Sequence, residues 1–187
     1  MTALDELTKL LPPPERRPAP DYDWPAIEAE TGTALPHDYK CLVETYGPVR
    51  FSANLRLCTP HGGLDLACWT ALTRELLGDP DFPPESEHVP AGFALDPSAL
   101  QPWGSITGNE YCLWYTAGPD PDTWPVIVGG PAVWGFYRGT VTEFVLALLT
   151  RTLPHSEYFD DISEFVEDHG AYCVIDRDGA QSTIHAA

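Results

Sequence analysis

The residues of this 187-residue chain that could ligate, attack or move protons fall into a few short constellations. Cys58, His61 and Cys68 lie within eleven residues, and Cys58-x-x-His61 has a spacing that zinc accepts. A closed structural site takes four nitrogen or sulfur ligands, so Cys41 or Cys112 would have to be carried there by the fold. The simpler expectation is two core thiols beside a loop histidine, and no metal. The run Gly104-Ser105-Ile106-Thr107-Gly108 resembles a nucleophile elbow only until positions are counted. That motif needs the serine midway between the glycines, and Ile106 holds that place. The pairs Asp79/Asp81, Asp120/Asp122 and Asp176/Asp178 lack the further ligands and closing glutamate of a calcium loop, which leaves them as solvated turn residues. No P-loop and no G-x-G-x-x-G fingerprint occurs, so no backbone cradle for phosphate is visible. A catalytic thiol would need an accessible cysteine whose pKa is depressed by a histidine or a helix N-terminus, which spacing alone does not supply. The expectation is a protein without catalytic residues, cofactor or metal: not an enzyme.

Composition points elsewhere. There are 28 acids against 10 bases, a formal charge of −18. Cationic side chains supply most of the affinity for nucleic acid and for anionic membranes, so both are disfavoured as direct partners and basic proteins are favoured. High charge also keeps a protein soluble, and that alone could account for it. Its distribution is uneven, however: no Lys or Arg falls between Arg74 and Arg138, a stretch holding nine acids, nor between Arg151 and Arg177, which holds seven. With 43% hydrophobic and 11% aromatic residues, the chain can bury enough apolar surface to fold. Five cysteines are an odd number for an oxidised scaffold, the start MTALDELTKLL has no basic leader region, and no apolar run approaches the roughly 20 residues of a membrane span. A soluble cytoplasmic protein is expected.

The elements that must position these residues can be read from pattern. Leu4, Leu7, Leu10 and Leu11 form a short amphipathic turn halted by Pro12-Pro13-Pro14, so residues 1–19 read as a short N-terminal segment and proline-rich connector that buries little. Asp23 can cap a helix that carries Trp24 and Pro25 in its first turn and stops at Gly32. A second helix begins at Leu35-Pro36, with Tyr39, Leu42, Val43 and Tyr46 on one face and Gly47 at its end. Val49 to Leu57 alternates as a strand, Leu64 to Leu77 reads as a helix, and residues 79–92 as a loop. Two hairpins follow, Gln101–Ile106 with Glu110–Thr116 and Trp124–Val128 with Val133–Tyr137. Their aromatics, Trp103, Trp114, Tyr115, Trp124, Trp134, Phe136 and Tyr137, lack the interleaved bases of a nucleic-acid platform and read as sheet core, with some free to anchor a partner. Thr140-x-x-Glu143 is a capping box opening the apolar helix to Leu149. The tail suggests an acidic helix near Ile162–Glu167 and a hairpin of Tyr172–Asp176 with Thr183-Ile184. This order fits an α+β domain: an antiparallel sheet with an N-terminal helix pair and a C-terminal helix packed on it.

Trp24 to Glu28 with Gly32, then Leu35-Pro36-x-Asp38-Tyr39-Lys40, then Tyr46-Gly47 together resemble the opening of the SUKH superfamily, which includes a fungal cell-wall synthesis regulator and many bacterial immunity proteins. The Trp103-Gly104 strand, the Trp124-to-Trp134 hairpin and the Phe144 helix are similar to the rest of that domain, giving a SUKH-like region of 20–153 followed by an acidic extension of 154–187. The resemblance implies no catalytic residues. It implies a protein that binds and neutralises a bacterial toxin, commonly a nuclease; the alternative is a regulatory or scaffolding module binding a cellular protein. The acids available to a basic toxin are Asp79, Asp81, Glu85 and Glu87 in the loop, Asp120 and Asp122 in a turn, and Asp160, Asp161, Glu164, Glu167 and Asp168 in the tail. The tail acids recur at helical spacings of three and four and would form one stripe, with Ile162, Phe165 and Val166 docking the other side. Partner binding is therefore expected at the tail stripe together with Asp120 and Asp122.

Overall fold

The computed structural model describes residues 1–14, 21–52, 54–60, 64–78, 96–106, 110–116, 118–129, 134–156, 159–160, 162, 171–175 and 181–185. Helix α1 (Ala3–Leu10) opens on a capping box: Thr2 Oγ1 accepts from the Asp5 amide at 3.2 Å, and the Asp5 carboxylate accepts from the Thr2 amide at 2.8 Å. Helix α2 (Trp24–Thr31) starts under Asp23, which accepts from the Ala26 amide, and ends at Gly32 with φ 76°, where a side chain would be strained. Helix α3 (His37–Tyr46) buries Tyr39, Leu42, Val43 and Tyr46, the face its periodicity predicts.

The stretch expected as one strand over 49–57 is two. β1 (Val49–Phe51) and β2 (Leu55–Thr59) pair antiparallel, Phe51 opposite Leu55, around Ser52 at φ 48°, with the Asn54 amide donating to Ser52 O at 2.6 Å. Apolar alternation continues along both arms, so a period of two cannot reveal the turn between them. β3 (Leu64–Asp65) pairs in parallel with β2, and α4 (Leu66–Leu77) begins only at Leu66 because Asp65 is its cap, accepting from the Cys68 amide at 2.9 Å. The two central hairpins form as expected, β4 (Leu100–Ile106) with β5 (Glu110–Tyr115) and β6 (Val126–Gly129) with β7 (Trp134–Tyr137). Helix α5 (Val141–Leu149) carries its full capping box, and β8 (Ala171–Ile175) pairs with β9 (Gln181–His185).

Among the described residues the strands make one nine-stranded sheet in the order β7-β6-β5-β4-β2-β1-β8-β9, antiparallel along that path, with β3 beside β2. Helices pack on it in an α+β arrangement. Alternation along β5 and β6 divides the interior. Cys112, Trp114, Val126 and Val128 join the main core with α1, α3 and α5, while Leu113 and Ile127 join Leu100, Trp134 and Leu77 of α4. Gln101 fastens α4 to the sheet: buried in β4, it donates to Thr70 Oγ1 at 2.7 Å and accepts from Arg74 at 3.1 Å, while Arg74 reaches Thr31 O at the end of α2. At the bulge between Pro102 and Gly104, a Cβ on Gly104 would stand 2.6 Å from Arg56 O, so only glycine lets β2 and β4 close here. Ser105 lies mid-strand, paired with Arg56 and Tyr111 and buried, which is no setting for a nucleophile elbow.

Both ends of the chain are built into this body. Leu7 and Leu11 are fully buried, α1 contacts α5, and the Tyr46 hydroxyl donates to Leu11 O at 2.6 Å. Of the N-terminal segment expected to bury little, Leu7 and Leu11 belong to the core. At the other end β8 extends the sheet next to β1, Val174 opposite Val49. Phe159, Asp160 and Ile162 are helical, with Phe159 and Ile162 buried; of the expected docking side only Ile162 is described, and the remainder of the expected acidic helix lies outside the described residues. No described helix is long and apolar enough to cross a membrane. Leu7→Ala is expected to cost about 2–5 kcal/mol, as for other buried leucines, read as a lower urea midpoint; an unchanged midpoint would place α1 outside the cooperative unit.

Candidate functional site

The residues of the α2–α3 region that stand out in sequence turn out to be joined to one another. Glu28 Oε1 accepts from the Leu35 amide at 2.8 Å and pairs with Lys40 Nζ at 2.6 Å, closing the connection through Leu35-Pro36. Trp24 Nε1 donates to Glu44 at 2.6 Å, and the Lys40 ammonium lies 5.8 Å from the Trp24 ring centre. Trp24 meets Tyr39 edge-on, Tyr39 meets Trp114 edge-on at 5.0 Å, and the Tyr39 hydroxyl donates to Cys58 O in β2 at 2.6 Å. Burial raises the Glu28 carboxyl, but the Lys40 ammonium and the Leu35 amide outweigh it and hold the group below its ordinary value. This chain of contacts runs from α2 through α3 to the sheet and fixes where α3 begins.

At that beginning lies a cleft of about 280 Å³. Its apolar lining includes Leu4, Pro36, Trp114, Trp124 and Val141, and its polar lining includes His37, Asp38, Cys41, Asp122 and Thr140. The N-termini of α3 and α5 meet here, and each borrows an acceptor from a distant part of the chain. Pro36 precedes α3 and has no side chain that can cap it; Asp122 Oδ1 accepts from the His37 amide at 2.5 Å. Asp38 Oδ2 accepts from the Thr142 amide of α5 at 2.9 Å. The turn bearing Asp122, Pro121–Thr123, is itself held by Asp120, which accepts from the Asp122 amide at 3.1 Å, and by Trp124 Nε1 donating to Gly118 O at 2.8 Å.

The cleft also brings a thiol near an imidazole, Cys41 Sγ to His37 Nε2 at 3.5 Å. Partial burial raises the Cys41 thiol, and Glu44, Asp38 and Asp122 raise it further. A thiol among carboxylates stays protonated, the reverse of what a nucleophile needs. Cys58 and Cys112 are fully buried, and burial pushes both thiols well up. His61 lies outside the described residues, and among those described no group of three His, Cys, Asp or Glu is arranged to hold a metal ion.

Of the acids nominated from sequence, Asp122 lines the cleft and Asp120 supports its turn. Asp160 lies apart, exposed, 3.4 Å from His155. Asp161, Glu164, Glu167 and Asp168 are outside the described residues, as are the loop acids Asp79, Asp81, Glu85 and Glu87. Asp38 escaped nomination because it reads as an ordinary first-turn acid of α3, and nothing local marks an acceptor for an amide 104 residues away. Leu4 escaped because its segment looked detached. Comparison with protein-family models, with curated proteins and with solved structures finds no match for this chain.

Two expectations follow. A group whose folded pKa is depressed contributes stability that is complete above its unfolded value and disappears as pH falls through the folded one. Glu28→Gln should therefore lower the thermal midpoint at pH 7, with the gap to the parent narrowing once pH drops below the ordinary glutamate value of 4.5; a gap constant down to pH 3 would contradict the pairing. Peptide mapping after iodoacetamide should show Cys41 alkylated more slowly than exposed Cys68 at pH 7, its rate still climbing as pH passes the ordinary thiol value of 9.0. Preferential labelling of Cys41 at neutral pH would revive thiol chemistry.

Proposed function

We propose that this chain is a non-catalytic cytoplasmic module of the SUKH type, an immunity protein that binds a basic bacterial toxin domain, such as a nuclease, and neutralises it. The observation that carries this reading is the acid-edged apolar cleft, on a chain of net charge −18. An apolar recess with carboxylates at hand is the form of a protein-interface hot spot, where a few anchors carry most of the affinity. Two further facts support it. The α+β body is the architecture that the resemblance implies, and the residues of the resembling segment that engage one another, Trp24, Glu28, Leu35, Tyr39 and Lys40, do so to position the start of α3 beside the cleft. The serine and the partly exposed thiol that might have signalled catalysis are respectively buried mid-strand and held protonated.

A nuclease must present basic surface to hold phosphates, and an acidic inhibitor competes for that surface. Opposite charge also raises encounter rates toward about 10⁸ to 10⁹ M⁻¹s⁻¹ at low salt. The test is association of the chain with the product of a toxin gene lying beside its own, measured across salt, together with rescue of cells expressing that toxin. The rate should fall steeply as salt rises. Reversing Asp161, Glu164 and Asp168 to Lys should flatten the salt slope if the tail steers the encounter. Salt-insensitive binding by the parent, or failure to rescue, would contradict the proposed function.

A further inference from the structure

The cleft has the size and charge to select one kind of occupant. At about 280 Å³ it falls just below the range of roughly 300 to 1,000 Å³ that holds small-molecule ligands, and suits a single large side chain. The local charge has competing sources. Two helix N-termini each contribute roughly half a positive charge. Against them stand Asp38, Asp122 and Glu143, the last accepting from the Thr140 amide at 2.9 Å beside the cleft. The balance is roughly two negative charges, and a full positive charge on His37 would not reverse it. An anionic occupant is therefore opposed. Asp38 and Asp122 each give one oxygen to a backbone amide, and the other oxygen of each has no hydrogen-bond partner among the described residues. The backbone amides hold both carboxylates in place before anything binds.

We propose that this cleft seats one arginine side chain of the partner protein, with its guanidinium on Asp38 and Asp122 and its stem along Leu4 and the accessible edge of Trp124. The inference rests on the protein-binding reading given above. Arginine suits the lining better than lysine does. Its planar, weakly hydrated cation stacks on indole and offers several donors in a fixed fork, whereas an ammonium keeps its water more tightly. A purely apolar anchor would fill the recess but offer no donor to the second oxygen of either carboxylate. The charge complementarity therefore decides for the cation.

The probe is N-acetyl-arginine methylamide, titrated into the ¹⁵N-labelled full chain while the Trp124 indole and the His37 and Cys41 amides are followed. Matched titrations use the citrulline analogue, which has the same shape without the charge, and the phenylalanine analogue. The arginine probe should shift these resonances with a Kd on the order of 1 mM, and citrulline should bind at least about tenfold more weakly. Asp122→Asn and Asp38→Asn keep an oxygen able to cap the helix ends, so the fold should persist while arginine binding drops by about tenfold in each. Equal binding of arginine and citrulline, stronger binding of the phenylalanine analogue, or no shift at any of the three positions would overturn the arginine seat. The two readings fail separately. A double Asp38→Asn, Asp122→Asn variant that still binds and neutralises the toxin removes the seat and leaves the immunity function standing. A parent that takes the arginine probe but binds no toxin does the reverse.

Discussion

A helix leaves its first amides without partners, and when the residue before it is proline there is no side chain at the cap position to satisfy them. Pro36 puts α3 in that position, and the acceptor comes from Asp122, 85 residues further along. Asp38, one residue beyond His37, does the same for α5 by accepting from the Thr142 amide. These two carboxylates therefore tie together α3, α5 and the turn at Pro121–Thr123, and the space between those elements is the cleft. Other contacts serve this arrangement. Glu28 and Lys40 set the start of α3, Tyr39 fixes its depth against Trp114 and β2, and Trp124 anchors the turn.

The same carboxylates have two physical consequences. Paired with helix ends they stabilise the fold, because a negative charge beside a helix N-terminus is favourable by about 0.3 to 1 kcal/mol when exposed. Gathered beside a partly buried thiol, they keep that thiol protonated and give the cleft a negative potential. Structure, absence of thiolate character and preference for a cation thus arise from one placement of charge. A net charge of −18 would ordinarily loosen a compact chain through self-repulsion. Here some of the acids are satisfied by backbone amides: Thr2 on Asp5, Ala26 on Asp23, Cys68 on Asp65, and the two remote pairs at the cleft.

What could be read from sequence was whatever is encoded within a few residues. Asp23 before Trp24, Gly32 after α2, the four-residue periodicity of α3 and the Thr140/Glu143 box each act over one turn, and each appears in the structure as expected. The hairpins around 107–109 and 130–133 were legible for the same reason. Failures came where two local readings were equally good or where the deciding partner was remote. Alternation ran unbroken through Ser52, Leu64 fitted a helix as well as a strand, and Pro12 to Pro14 suggested a connector that buries little although Leu7 and Leu11 are buried in the core with α3 and α5. At the cleft, Asp122 was nominated for its charge but not for the amide it satisfies, and Asp38 was not nominated at all. Separations of 85 and 104 residues leave no trace in spacing.

On the reading proposed above, this cleft is held open and charged by the chain itself and is then covered by a protein partner. Hydrogen exchange at three N–H groups, His37 and Thr142 of the backbone and the Trp124 indole, compared between the free chain and its complex with the toxin domain, tests it most directly. Both amides should already exchange slowly in the free chain, because their carboxylate acceptors are in place, and the Trp124 indole should slow further in the complex. Unprotected amides in the free chain, or an indole whose exchange is the same with and without the toxin, would contradict it.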